Sequence, residues 1–306
     1  MASSRKRPAQ HEEEAPASVA SKRLRSSSAA AIGRIDDYER LDVIGEGGFG
    51  VVFEARHRRT GESVAVKWIR GDGAGEHGPP DMNAVAREIA CQAACCGHPS
   101  IVEIVDVVED ADLGDMFLVM ELAGGGSLFD LISGPSTEHT TRGMMRQLLA
   151  AAKAVHAAGI IHRDIKPDNV LVGPDGELKL CDFGAATPVK PPYEESRVGT
   201  LLYTSPEQLA GDRNYGMAVD MWALGCIMGE LLTGAPLFED YDTDEEDLFA
   251  EVLDRLGSTG ACKLFDGLPE LSPAGREVLA GLLAINPDER LTAAEALEHR
   301  WFTETD

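Results

Sequence analysis

Apolar residues are spaced in two ways along this chain. From Tyr38 to about Leu118 they fall in short runs of strand length, of which Val64-Ala65-Val66-Lys67 is one. A single helix interrupts them near residues 82–96. There Met82-Asn83-Ala84-Val85-Ala86-Arg87-Glu88-Ile89 is a run of good helix formers ahead of a His98-Pro99 break. Gly71 to Pro80, with its glycines and prolines, reads as a loop. Phe117-Leu118-Val119-Met120-Glu121-Leu122 reads as a last strand and leads into Ala123-Gly124-Gly125-Gly126. From Ser127 onward the apolar spacing is helical, over 142–157, 217–233 and 275–284. The pattern predicts an α+β chain with a small β-rich lobe (about 38–122), a linker (about 121–126) and a larger helical lobe (about 127–302).

Composition adds a tail and removes some partners. Residues 1–34 are rich in Ser, Ala and charge and poor in aromatics, which predicts a disordered basic segment. It carries +4 while the whole chain carries −24, so the body is near −28. Such a body should not hold nucleic acid non-specifically. No apolar run reaches the roughly 18–20 residues that span a bilayer, and the polar N-terminus shows no secretory signal, so no membrane partner is expected. Six cysteines lack paired metal spacing and read as free thiols in a reducing compartment. Arg5-Lys6-Arg7 and Lys22-Arg23-Leu24-Arg25 leave two readings open, a split nuclear import signal or an ordinary charged tail; the expected location is nuclear, cytoplasmic or both. Glu239 to Asp247, with seven acids in nine residues, reads as a solvated loop.

The chemistry sits in four short stretches. Ile44-Gly45-Glu46-Gly47-Gly48-Phe49-Gly50-Val51-Val52 fits G-x-G-x-x-G-x-V, in which glycines let a β-turn-β backbone approach phosphates without a Cβ in the way. Lys67, seventeen residues past Gly50, lies in an apolar strand, where an ammonium is costly unless anions receive it. Glu88 on the predicted helix is the candidate carboxylate for it. Then come His162-Arg163-Asp164-Ile165-Lys166-Pro167-Asp168-Asn169 and, thirteen residues after Asn169, Asp182-Phe183-Gly184. Phosphoryl transfer needs a carboxylate to orient a hydroxyl, oxygen ligands for Mg²⁺ and cations near the phosphates. Asp164 can do the first, Asn169 and Asp182 the second, Lys166 and Lys67 the third.

In order and spacing these stretches resemble the eukaryotic protein kinases, over about residues 38–302. The resemblance implies a bilobal fold, ATP and Mg²⁺ as cofactors, and a protein substrate. Lys166 at its place in the catalytic loop implies serine/threonine rather than tyrosine as acceptor. It also implies that Glu121 and Ala123 belong to a hinge whose backbone bonds the adenine edge. Met120 would lie behind the ring, and Ile44, Val52, Ala65 and Leu171 would sandwich it. Cys181, just before Asp182, would border the same cleft. Ser205-Pro206-Glu207 stands where the family has Ala-Pro-Glu and closes the activation segment. Asp220 would brace the catalytic-loop backbone, Arg290 would pair with Glu207, and Thr200 would bond both Lys166 and Asp164.

Through Gly45-Glu46-Gly47, Val51-Val52-Phe53-Glu54-Ala55-Arg56, Thr60-Gly61-Glu62 and Ala86-Arg87-Glu88-Ile89 the N-lobe resembles cyclin-dependent kinases, and the plant F class among them. Several positions depart from that pattern. Of the cyclin-contacting Pro-Ser-Thr-Ala-Ile-Arg-Glu only Arg87-Glu88 remains, which leaves a cyclin-like regulatory subunit open as a partner. Gly48 and Phe49 have no hydroxyl, so inhibitory phosphorylation at those two places is chemically impossible. The activating threonine aligns with Glu195, expected to bridge Arg87 and Arg163, with Ser196 as the rival phosphosite. Thr204 and Gly199 replace an arginine and a valine of proline-directed relatives, so proline direction also stays open. Gln92 puts an amide where kinases bury an apolar side chain, and it needs a partner. A catalytically silent, partner-binding relative is the competing reading. The presence of Lys67, Glu88, Asp164, Asn169 and Asp182 favours the enzyme.

Overall fold

The computed structural model describes residues 32–47, 50–69, 81–238, 250, 252, 256, 268 and 270–303. Gly48, Phe49, the 71–80 loop, the 239–247 acidic run and the tail as far as residue 31 lie outside the described residues. Six strands form the N-terminal sheet: β1 (Gly33–Arg34), β2 (Tyr38–Gly47), β3 (Gly50–His57), β4 (Ser63–Ile69), β5 (Ile104–Glu109) and β6 (Met116–Glu121). Their order is β1-β5-β6-β4-β3-β2, and every pair is antiparallel except β1–β5. The tail was expected to stay disordered to residue 34, but Gly33 and Arg34 pair with Val108 and Glu109. Two residues are too few for a compositional signal; the open edge of β5 supplies their partners.

The two-residue period sorts β4 between two faces. Val64 and Val66 pack with Phe53, Ala55, Phe117 and Val119 on one side. Ala65 and Lys67 therefore face the other side, where Ala65 pairs with Met120 and Lys67 with Leu118. Helix α1 (Met82–Ala94) covers that side with a stripe of Val85, Glu88, Cys91 and Gln92. Asp81 caps its N-terminus by accepting from the Asn83 N–H. It ends two residues before the expected 96, at a Cys95 cap followed by Gly97 in the left-handed region.

The helical lobe is built around α3 (Glu138–Ala157) and α5 (Ala218–Thr233), with short α2 (Leu128–Leu131) and α4 (Pro206–Leu209) and, after them, α6 (Pro273–Leu282), α7 (Ala293–Glu298) and α8 (Arg300–Thr303). Helix α3 starts four residues earlier than its apolar spacing suggests. Its first turn is polar and is held by a Thr137 cap rather than by packing. Helix α5 is buried from Val219 to Leu232 on every face, as expected of a helix that is apolar all round. A Cβ on Gly225 would come within 2.7 Å of Leu283, so glycine lets the segment after α6 pack directly on α5. Two-stranded ladders, β7 (Ile160–Ile161) with β10 (Thr187–Pro188) and β8 (Val170–Val172) with β9 (Leu178–Leu180), frame the loops that carry the catalytic candidates. No helix among the described residues is long and apolar enough to cross a membrane.

Candidate active site

The roof of the cleft comes from the sheet. Gly45 and Glu46 pair with Val52 and Val51, and Gly47 with Gly50, so β2 and β3 converge on the glycine turn. Ile44 is exposed, Val52 half-buried, and Ala65 and Met120 buried. From the helical lobe, half-buried Leu171 and Cys181 pack against the cluster that contains Met120. The structure thus brings Ala65, Met120, Leu171 and Cys181 together, with Val52 beside Lys67 on the neighbouring strand. Glu121 ends β6, and its carboxylate is held by Lys179 at 2.9 Å and by the Glu103 N–H at 2.9 Å; buried Ala123 follows.

Lys67 reaches across the cleft. Its Nζ donates to Glu88 Oε1 at 2.7 Å and to Asp182 Oδ1 at 2.8 Å, and the side chain is 5 % exposed. Burial opposes its charge, but the Asp182 and Glu88 carboxylates raise its pKa above the usual lysine value. Asp182 is desolvated too, yet Lys67 and the Gly184 N–H hold it below the ordinary carboxylate range. Burial pushes Glu88 up, helped by the Asp182 charge, and the Lys67 bond does not offset it. Asp182 sits at φ 59°, a left-handed conformation rare for a non-glycine residue, with its side chain capping the turn Phe183–Ala185.

Asp164 is 5 % exposed and its carboxylate is held from two sides. Asn169 Nδ2 donates to Asp164 Oδ2 at 2.9 Å and to its carbonyl at 2.8 Å. Thr200 Oγ1 donates to Asp164 Oδ1 at 2.8 Å and accepts from Lys166 Nζ at 2.8 Å. Lys166 Nζ itself lies 3.7 Å from Asp164 Oδ2. Gly199 eases this approach. It has φ +101°, and a Cβ there would meet the Arg163 carbonyl at 2.3 Å, so a side chain at this place would force the backbone to shift.

Beneath the loop, Asp220 accepts from the backbone N–H of His162 and of Arg163, both at 2.9 Å, and from His156 Nε2 at 2.9 Å. Although fully buried, Asp220 is kept below the usual carboxylate pKa by the His156 bond and the neighbouring histidines. His156 was not among the sequence-predicted residues; it lies a helix away from Asp220 in sequence, and no local spacing pointed to it. Arg290 forms a bidentate pair with Glu207 at 2.7 and 2.9 Å.

One expectation is corrected, and another is met in part. Glu195 does not bridge Arg87 and Arg163: both Glu195 and Arg87 are exposed, and the Glu195 carboxylate makes no ion pair among the described residues. The Arg163 guanidinium instead donates to the Ala185 carbonyl at 2.7 Å and to Tyr215 Oη at 3.1 Å. Ser196 is half-buried beside Glu195. Gln92 finds half a solution. Its Nε2 donates to the Val102 carbonyl at 2.9 Å, while its buried Oε1 has no hydrogen-bond partner among the described residues.

A protein kinase domain model matches residues 38–302. A protein of Oryza sativa subsp. japonica that carries the name cyclin-dependent kinase F-2 is 43 % identical over 308 residues, covering 89 % of this chain and 91 % of its own length. The serine/threonine-protein kinase ppk23 of Schizosaccharomyces pombe is 35 % identical over 298 residues, covering 89 % of this chain and 73 % of that one. Among solved structures, a chain in the CAK complex of Chaetomium thermophilum bound to ATP-γ-S superposes with a TM-score of 0.77 at 28 % identity, covering 88 % of this chain and 91 % of that one. A domain match over residues 38–302 and relatives of this identity and coverage show that the chain belongs to the protein kinase family, as a cyclin-dependent-kinase-like serine/threonine kinase that uses ATP.

Proposed function

We propose that the chain moves the γ-phosphoryl group of Mg·ATP to serine or threonine hydroxyls of proteins, with Asp164 orienting the acceptor. The observation that carries this is the fixed Asp164 carboxylate, held by Asn169 and Thr200 with Lys166 alongside. Both of its oxygens already accept hydrogen bonds, which sets its plane before any substrate arrives. Lys67 offers its ammonium to the phosphates, and the glycine turn offers backbone N–H groups. Ile44, Val52, Ala65, Met120 and Leu171 give the adenine an apolar slot, and the Glu121–Ala123 backbone its polar edge.

The residues fit magnesium. Asn169 turns its amide nitrogen toward Asp164, which leaves its Oδ1 as a metal ligand, and Asp182 adds a carboxylate. No group of three His, Cys, Asp or Glu among the described residues could hold a metal by itself. Two protein oxygens completed by phosphates and water is the usual way to hold a hard octahedral cation. When bound, Mg²⁺ offsets the negative charge on the β- and γ-phosphates.

Asp182→Asn is expected to weaken nucleotide binding at least about tenfold in Mg²⁺. The same variant should bind nearly as the wild type does when EDTA removes the metal. Fluorescent-nucleotide titration under both conditions checks it. An equal loss in both would mean that Asp182 acts through Lys67 and not through the metal.

The reading extends to partners and acceptors. Lys67 and Glu88 are already paired in the single chain, which supports basal activity without a cyclin-like subunit. Thr204, at the place of an arginine in proline-directed relatives, donates its hydroxyl to the Thr200 carbonyl and brings no charge, which supports acceptors without a following proline. The purified chain, assayed alone on a degenerate Ser/Thr peptide library, tests both. Turnover only after addition of a cyclin, or a strong proline preference, would reverse the corresponding part.

A further inference from the structure

Arg163 reaches the activation segment by a route the expected anion does not use. Its guanidinium meets three neutral groups. Nε donates to the Ala185 carbonyl at 2.7 Å, Nη1 donates to Tyr215 Oη at 3.1 Å, and Cζ lies 5.7 Å from the centre of the Tyr193 ring. The two tyrosines are stacked on each other at 4.6 Å and 28°, and both are buried. Ile161 and Val219 close the cluster. The Tyr193 N–H donates to the Arg213 carbonyl at 2.9 Å, and Arg213 Nε returns a bond to the Tyr193 carbonyl. Tyr193 is thereby fixed through its backbone and its ring alike.

These contacts join three pieces of chain. Ala185 belongs to the turn after Asp182, Tyr193 to the middle of the activation segment, and Tyr215 to the strand-free stretch before α5. Arg163 itself adjoins Asp164 and sits at φ +67°, with its N–H held by Asp220. A residue in the left-handed region keeps that conformation only when its surroundings over-determine it. Here Asp220 fixes the backbone and the tyrosine pair fixes the side chain. An aromatic face accepts a guanidinium in place of an anion. No carboxylate among the described residues pairs with this guanidinium, and the expected one, Glu195, meets the cluster through its carbonyl, which accepts from Tyr215 Oη at 3.5 Å.

We propose that Tyr193 and Tyr215 form an aromatic latch on Arg163 that sets the activation segment and Asp164 in working position without an added phosphate. Both are positioning residues, and the proposal rests on the kinase reading of the site.

The test uses the full chain after phosphatase treatment, in four forms: wild type, Tyr193→Leu, Tyr193→Phe and Tyr215→Phe. Wild-type turnover on the peptide library should change by less than about twofold on dephosphorylation, while Tyr193→Leu, which loses the ring, should lower kcat about tenfold or more with the KM for ATP little changed. Tyr193→Phe keeps the ring and should restore at least about half of kcat, and Tyr215→Phe, which loses one hydroxyl, should cost about threefold. A second readout needs no activity. Tryptic cleavage after Arg197, inside the segment, should be faster in Tyr193→Leu and Tyr215→Phe than in wild type and in Tyr193→Phe. Equal cleavage in all four, or full kcat in Tyr193→Leu, overturns the latch. A large fall in wild-type turnover on dephosphorylation overturns its independence of phosphate. If no form turns over ATP but cleavage follows the expected order, the latch stands and the kinase reading fails.

Discussion

Asp164→Asn is expected to lower kcat by about three orders of magnitude, the range of a positioned acid–base group, with Mg·ATP affinity within about twofold of wild type. The geometry explains why the fold should tolerate the change. Both carboxylate oxygens of Asp164 accept, one from Asn169 and one from Thr200. An amide turns its NH₂ toward one of them. Thr200 is the one that can adapt, because its hydroxyl can rotate and accept from both the new amide and Lys166. Packing therefore survives. The negative charge that orients a substrate hydroxyl and draws its proton does not. Single-turnover kinetics beside a nucleotide titration separate the two effects. Turnover near the wild-type level would remove Asp164 from the mechanism.

The second large effect falls on stability. Arg290→Ala is expected to destabilise the protein by about 3–5 kcal/mol, the usual result of removing one partner of a buried pair. The Arg290 side chain is 0 % exposed and Glu207 8 %. Besides Glu207, the guanidinium serves the carbonyls of Ala218, Ala284 and Ile285 and lies over the Trp222 ring at 5.3 Å. Truncation leaves a desolvated carboxylate and three carbonyls without their donor. Arg300 and Glu277 are a useful contrast: they approach as closely, at 2.6 Å, but about half of each side chain is in water. Exposed pairs contribute little, so Arg300→Ala should scarcely move the denaturation midpoint. Urea unfolding of both variants checks the contrast. A similar small loss for each would show that the Arg290–Glu207 pair does not hold the end of the activation segment to α5.

Much of this arrangement was legible in the sequence, for a physical reason. Lys67, Glu88, Asp164, Asn169 and Asp182 belong to short stretches whose residue types have little other use together, and the fold brings them within bonding distance in the expected combinations. Element types followed from apolar spacing, whereas ends did not: α3 begins on a polar capped turn and α1 stops at a Cys95 cap ahead of Gly97. The aromatic partners of Arg163 were not legible. Tyr193 and Tyr215 are 22 residues apart, as their numbers show, and each by itself is an ordinary core tyrosine. The expectation fell on Glu195 because it aligns with the activating threonine of relatives, and alignment has no means of weighing a stacked ring against a carboxylate that remains in water. His156 escaped notice for a similar reason, since α3 and α5 must first pack before it meets Asp220.

The two-residue strand β1 bears on how copies of this protein behave toward one another. A sheet edge is a row of unpaired backbone groups, and another chain can complete it. One edge here is β2, which runs into the glycine turn; at the opposite side Gly33 and Arg34 cover part of β5. Their removal would uncover the backbone of Val108 and Glu109, next to the buried Val108 side chain, as a template for strand addition. A truncation that begins at Ile32 keeps this cover, and one that begins at Ile35 loses it. Light scattering during mild heating should find the shorter chain clustering first, although the two differ by three residues that touch no part of the catalytic cleft.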